Sequence, residues 1–346
     1  MRPNQALLVE FDQVLGAVKR SLYLVTMVQL ILTAAIAQGT NSKSAIAYYN
    51  RGNESYRKRD YDKAIADFSA AIAFDSRFAW AYNNRGNARM EKHDIEGAIA
   101  DFARALELDP HLAAAYANRG RARDSKGDRS GALEDYNEAA RQDPRSPIVF
   151  FNRANLWKAT NDIARALADY DQAIALDHKF AQAYVNRGNT RLALHQLDRA
   201  IADYNRALKV DSRQADPYND RGVAEMAEGK LDAAISDFDA AIRLRPAYSL
   251  AYYNRACSLM MKGNAAGALK DLDTSIAMDP SFARAYLNRG LLHLCAARRE
   301  QASSDFDTAI RLAPTLRALV KQRKAEIDHK ESCDFDNIPG SQVSNP

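Results

Sequence analysis

The tripeptide Asn-Arg-Gly returns every 34 residues, at Asn50-Arg51-Gly52, Asn84-Arg85-Gly86 and Asn118-Arg119-Gly120. The same step continues without insertion or deletion through Asn152-Arg153-Ala154, Asn186-Arg187-Gly188, Asp220-Arg221-Gly222, Asn254-Arg255-Ala256 and Asn288-Arg289-Gly290. A fixed period of this length constrains the chain more than composition does, because self-similar units stack on their neighbours rather than share one globular core. Eight units follow: 45–78, 79–112, 113–146, 147–180, 181–214, 215–248, 249–282 and 283–316, with positions numbered as places 1 to 34 of each unit.

Each unit reads as two helices. Place 4 of the first is aromatic in every unit, from Tyr48 to Tyr286, and place 8 on the same helix face is Gly or Ala. A small residue there lets a neighbouring helix come close. In the second helix, place 20 is always Ala, from Ala64 to Ala302. Place 24 is large, from Phe68 to Phe306, with Leu272 the one non-aromatic, and place 27 is Ala or, once, Ser275. Pro110, Pro144, Pro246, Pro280 and Pro314 stand at place 32, where proline ends a helix and opens a turn. One such hairpin cannot bury its apolar stripe alone, so the units are expected to stack.

The period, the aromatic–small spacing, the place-20 Ala and the terminal Pro resemble the tetratricopeptide repeat family over residues 45–316. The resemblance implies an all-α fold, a right-handed superhelical solenoid of eight helix-turn-helix repeats. Residues 317–331 read as a charged capping helix carrying Leu319, Val320 and Ile327, and 332–346 as a disordered tail. The family usually has Leu at place 7; every unit here has Arg: Arg51, Arg85, Arg119, Arg153, Arg187, Arg221, Arg255 and Arg289. Place 23 is Asp throughout: Asp67, Asp101, Asp135, Asp169, Asp203, Asp237, Asp271 and Asp305. A partly buried Arg needs a counter-charge, so the two columns predict a ladder of ion pairs, within units or between them. Duplication alone would also copy both residues.

The resemblance further implies that places 2, 5, 6, 9, 12 and 13 line a concave surface that holds a polypeptide. Place 6 is Asn50, Asn84, Asn118, Asn152, Asn186, Asn254 and Asn288, with Asp220 the exception; Asn53, Asn87, Asn155 and Asn189 add a second column at place 9. An amide both donates and accepts, so such a column suits a peptide backbone, as in the similar Asn ladder of the O-GlcNAc transferase family. The same amides would equally bond across repeats. Units one to five offer mixed groups, among them Tyr49, Tyr56, Trp80, Arg121, Asp124 and Lys158. Units six to eight offer Val223, Met226, Leu250, Tyr253, Met260, Met261, Leu287, Leu291 and Leu294, an adaptable apolar patch unless the superhelix or the tail covers it. Place 5 contains no Lys, which argues against the carboxylate clamp of the family's chaperone-binding members.

At the N-terminus, Lys19-Arg20, an apolar run through Leu32 and Ala35-Ile36-Ala37 form the three parts of an export signal, expected at 1–37 and followed by a linker at 38–44. The chain would then be exported, periplasmic or secreted in a bacterium; an uncleaved segment would instead anchor it to the membrane. Lys and Arg number 48 against 44 Asp and Glu, interspersed, so the sequence carries no nucleic-acid footprint. Cys257, Cys295 and Cys333 do not read as a disulfide framework, and His293 and Cys295, two residues apart, do not read as a metal site. No phosphate loop, nucleophile motif or zinc-protease motif occurs, and no cofactor is expected. The function expected is a non-enzymatic scaffold for a polypeptide partner, with a structural spacer of the cell envelope as the alternative.

Overall fold

The computed structural model describes residues 41–329 and, apart from these, Met27 and Gln29. The export signal expected at 1–37 and the tail expected at 332–346 therefore lie outside the described residues, except for Met27 and Gln29, which are helical. The described chain is all-α, with no strand, and divides into two compact units at Arg145/Ser146. Among the described residues no helix is long and apolar enough to cross a membrane.

The first unit contains three hairpins: α1 (41–57) with α2 (Tyr61–Phe74), α3 (Ala79–Glu91) with α4 (Ile95–Leu108), and α5 (Ala113–Lys126) with α6 (Arg129–Gln142). Residues 41–44, expected as linker, belong to α1. The second unit contains five more hairpins: α7 (Pro147–Ala159) with α8 (Ile163–Leu176), α9 (Ala181–Ala193) with α10 (Leu197–Val210), α11 (Ala215–Ala227) with α12 (Leu231–Leu244), α13 (Ser249–Met261) with α14 (Ala265–Met278), and α15 (Ala283–Cys295) with α16 (Arg299–Leu312). A 3₁₀ turn at Pro314–Leu316 leads into α17 (Arg317–His329), whose Val320, Leu319 and Ile327 pack with Leu287, Leu291 and Phe306 and so close the end of the stack.

The hairpins form because places 8, 20, 24 and 27 interlock. The place-20 alanines and place-24 rings are buried to 2% exposure or less. Where place 8 is glycine, a Cβ would press on the ring: at Gly86 it would stand 2.7 Å from Phe102 Cε1. Each fully buried ring contributes roughly 1.5–3 kcal/mol, and the small residues opposite let it seat without a void. Ser275, the place-27 departure, is buried and donates to the Ser249 carbonyl at 3.0 Å, so its hydroxyl has a partner.

Turn chemistry sets the hairpin bounds. Asp60, Asp94, Asp128, Asp162 and Asn264 at place 16 each accept the backbone N–H three residues on, capping the second helix. Gln196, Lys230 and Arg298 hold that place in α10, α12 and α16 and make no side-chain cap. Gln196→Asp is therefore expected to stabilise the chain by about 1 kcal/mol, read as an upward shift of the urea midpoint. Place 15 is left-handed in every repeat, whether Gly127, Gly229 and Gly263 or residues such as Arg59 and Ala297. Cys257 is a buried free thiol.

Candidate binding surfaces

The invariant arginines are held inside their own repeats. Each place-7 Arg, on the first helix of a hairpin, meets the place-23 Asp sixteen residues on, on the second. Arg85 donates Nε to Asp101 Oδ2 at 2.9 Å and Nη2 to Oδ1 at 2.7 Å, a bidentate fork. Arg153–Asp169, Arg187–Asp203, Arg221–Asp237, Arg255–Asp271 and Arg289–Asp305 repeat it, with distances between 2.5 and 3.0 Å. Arg119 makes the same fork with Asp135, and Arg51 donates twice to one oxygen of Asp67. The guanidinium also lies 4.6–5.7 Å from the place-4 ring one helical turn earlier, as a cation–π contact.

The remaining guanidinium nitrogen reaches back to place 25 of the preceding repeat. Arg187 bonds Asp171 at 2.5 Å, Arg221 bonds Asn205 at 2.5 Å, Arg289 bonds Asp273 at 2.7 Å, and Arg255 bonds Asp239. Arg85 bonds Ser69 Oγ at 3.0 Å. One residue thus ties its own hairpin together and links it to the hairpin before, which Leu could not do. Sequence reasoning missed place 25 because it varies among Ser, Asn and Asp and is Ala103 in repeat two. In repeats two, three and five a second Arg at place 11 shares the same carboxylate: Arg89, Arg123 and Arg191 lie 2.8–2.9 Å from Asp101, Asp135 and Asp203.

The Asn column bonds across repeats. Asn84 Nδ2 donates to Asn53 at 2.8 Å and Tyr49 at 3.0 Å; Asn118 donates to Asn83 at 3.0 Å. Asn186 donates to Asn155 at 2.8 Å, Asn254 to Asn219 at 2.9 Å, and Asn288 to Tyr253 and Cys257 at 3.3 Å. Asn155 and Asn189 also accept the hydroxyls of the buried Tyr170 and Tyr204 at 2.5 and 2.6 Å. Asn50 and Asn152, first in their units, make no side-chain hydrogen bond among the described residues.

Two expectations are thereby corrected. Asn186 is buried and Asn254 and Asn288 are fully so, and these amides do not face solvent. The apolar patch is also not an open surface. Met226, Tyr253, Met260, Leu287 and Leu291 are buried, and Leu250, Met261 and Leu294 half-buried, in the clusters that join consecutive hairpins of repeats six to eight. At place 9, Val223, Cys257 and Leu291 stand where repeats one, two, four and five carry Asn, and they add apolar contact to these clusters.

The first unit keeps a different surface. Places 2, 6 and 9 fall on one face of the first helix. In repeat two they are Trp80, Asn84 and Asn87, and in repeat three Ala114, Asn118 and Arg121. Trp80 is 45% exposed. The Asn87 carbonyl accepts from Arg121 Nη2 at 3.4 Å, and its two N–H donors have no partner among the described residues; nor does the Asn118 carbonyl oxygen.

Family models described as the tetratricopeptide repeat match residues 79–112, 117–180, 151–220, 185–249 and 253–317, and a further model of the repeat matches 52–92. These matches span more than half of the chain, which belongs to the tetratricopeptide repeat family, whose repeats serve as scaffolds for protein–protein interaction. Two solved structures agree on the fold. A tetratricopeptide repeat protein from Parabacteroides merdae is 22% identical, with a TM-score of 0.55 over 71% of this chain and 97% of that one. The hetero-tetrameric anaphase-promoting-complex assembly Cut9–Hcn1 is 13% identical, with a TM-score of 0.58 over 77% of this chain and 52% of that one. YrrB, a tetratricopeptide repeat protein with an unusual peptide-binding site, is 26% identical, with a TM-score of 0.47 over 56% of this chain and 99% of its own. No curated protein matches the chain.

Proposed function

We propose that the chain is a non-enzymatic adaptor that holds an extended segment of a partner polypeptide along the first-helix face of repeats two and three. The observation that carries this reading is the exposed Trp80 beside the unspent hydrogen-bonding atoms of Asn87 and Asn118. A flat ring offers large contact area at low entropic cost, and an amide that donates and accepts pairs with a peptide bond whatever its side chain. Repeats six to eight are built to stack rather than to bind, because their amides and apolar side chains are already consumed. The export reading of residues 1–37 stands beside this as part of the same proposal: the partner would be met outside the cytoplasm.

The test uses a photo-crosslinking amino acid at positions 80, 87 and 121, with positions 74 and 244, exposed on second helices, as controls. The expected result is a discrete polypeptide adduct from the first three positions, competed by unlabelled chain and, at position 121, weakened at least fivefold by Asn87→Ala with Trp80→Ala. Equal crosslinking at control positions, or none at 80, 87 and 121, refutes the reading in favour of a spacer without a ligand.

A further inference from the structure

A cavity of about 850 Å³ opens between α8 and α10, with α9 as its floor. It lies on the second-helix side of repeats four and five, away from places 2, 6 and 9. Arg187 and Arg191 form the floor, and their charge is spent on Asp203 and Asp171. The rim is different. His178 and Lys179, at the turn after α8, face Arg206 and Lys209 of α10, and all four side chains are exposed with no ion pair among the described residues. The nearest acids in sequence, Asp177 and Asp211, are spent on the turns they cap, accepting the backbone N–H of Lys179 and Arg213 at 2.8 and 3.1 Å. Ile174 and Val210 supply an apolar wall.

The concentration of charge belongs to this junction. The rim residues are places 32 and 33 of one repeat and 26 and 29 of the next. The same four places give Ser76, Arg77, Arg104 and Glu107 between repeats one and two, and Pro246, Ala247, Thr274 and Ala277 between six and seven. No other junction places more than two basic or imidazole groups there. Cations around a concave, partly apolar wall focus a positive potential, and the cavity falls in the size range of sites that enclose a ligand of a few residues.

We propose that this cavity is a second docking site, for an acidic segment of a polypeptide partner. Carboxylates would pair with Arg206, Lys209 and Lys179, and an apolar side chain would seat against Ile174 and Val210. The inference rests on the reading of the chain as a polypeptide-binding adaptor but not on its first-helix face. A second contact with the same partner would act at raised effective concentration.

The probe is the fluorescent peptide acetyl-Glu-Asp-Leu-Glu-Asp-Leu-amide, titrated against the full chain at low ionic strength by anisotropy. Its Gln/Asn counterpart and inorganic pyrophosphate serve as comparators. The expected result is saturable binding that weakens at least tenfold in Arg206→Gln/Lys209→Gln, with the melting temperature unchanged, and that falls steeply with salt. Trp80→Ala/Asn87→Ala should leave this binding intact, so that failure of one site is distinguishable from failure of the other. Equal binding of the neutral peptide, or equal binding by the Arg206→Gln/Lys209→Gln protein, overturns the proposal. So does binding of pyrophosphate without the peptide, which would make the cavity a site for small anions.

Discussion

Arg255→Leu is expected to cost about 3–5 kcal/mol, because it leaves Asp271 buried without a counter-charge. Place 11 of repeat seven is Leu259, so no second Arg stands ready to replace the lost one. The substitution also breaks the link to Asp239 and the stack on Tyr252. Arg187→Leu should cost less, about 1–3 kcal/mol, since Arg191 still donates to Asp203 at 2.8 Å. The contrast separates an electrostatic role from loss of packing volume, which is the same in both. Pairing Arg255→Leu with Asp271→Leu should recover most of the loss, because an apolar pair has no charge to strand. Repeat arrays need not unfold in two states, so urea melts should be accompanied by hydrogen exchange in α13 and α14. No loss at either Arg would show that the ladder is a by-product of duplication, and equal losses would assign it to packing volume rather than to charge.

Glu225→Arg is expected to raise stability by about 1–3 kcal/mol. Glu225 occupies place 11 of repeat six, where repeats two, three and five carry the second Arg on the shared Asp. Its Oε2 is buried without a partner. Burial, reinforced by the neighbouring Asp237, pushes its carboxyl up to about 7 from the ordinary 4.5. The folded chain therefore holds this proton more tightly than the unfolded chain, and the associated stability is full below pH 4.5 and lost as pH rises through about 7. Glu225→Gln removes the titration, so the difference in melting temperature between variant and parent should grow in the variant's favour across that window. His293, which burial pushes down, titrates in both proteins and cancels in the difference. A constant difference from pH 5 to 7.5 would refute the assignment.

The array of helical hairpins was legible because its signal is repeated. The interlock of Gly86 with Phe102 is written again at Gly188 with Tyr204 and at Gly290 with Phe306, so coincidence at one site is cancelled by agreement at the others. The Arg and Asp columns were legible for the same reason. Their pairing within a repeat was not, since a spacing of sixteen along the chain and eighteen to the next unit are indistinguishable until the two helices are folded back on each other. The basic cavity of repeats four and five escaped sequence reading for the opposite reason: it is assembled from places 26, 29, 32 and 33 of two units, and no single unit contains it.

The sequence by itself determined the period, the helices, the prolines that end them and the residues that would be invariant partners, because these depend on spacing along the chain and on local chemistry. Only the tertiary structure decided which polar groups are left over. An Asn at place 6 stands two residues after a Tyr and just before an Arg in both repeat two and repeat seven, yet Asn84 is half-buried and Asn254 fully so. A neighbour 31 residues earlier does not settle it alone: Val223 stands before Asn254, but Asn186 is also buried behind the polar Asn155. Burial at this place follows how closely the first helices of consecutive repeats approach, and that choice between binding and stacking is made by contact across repeats.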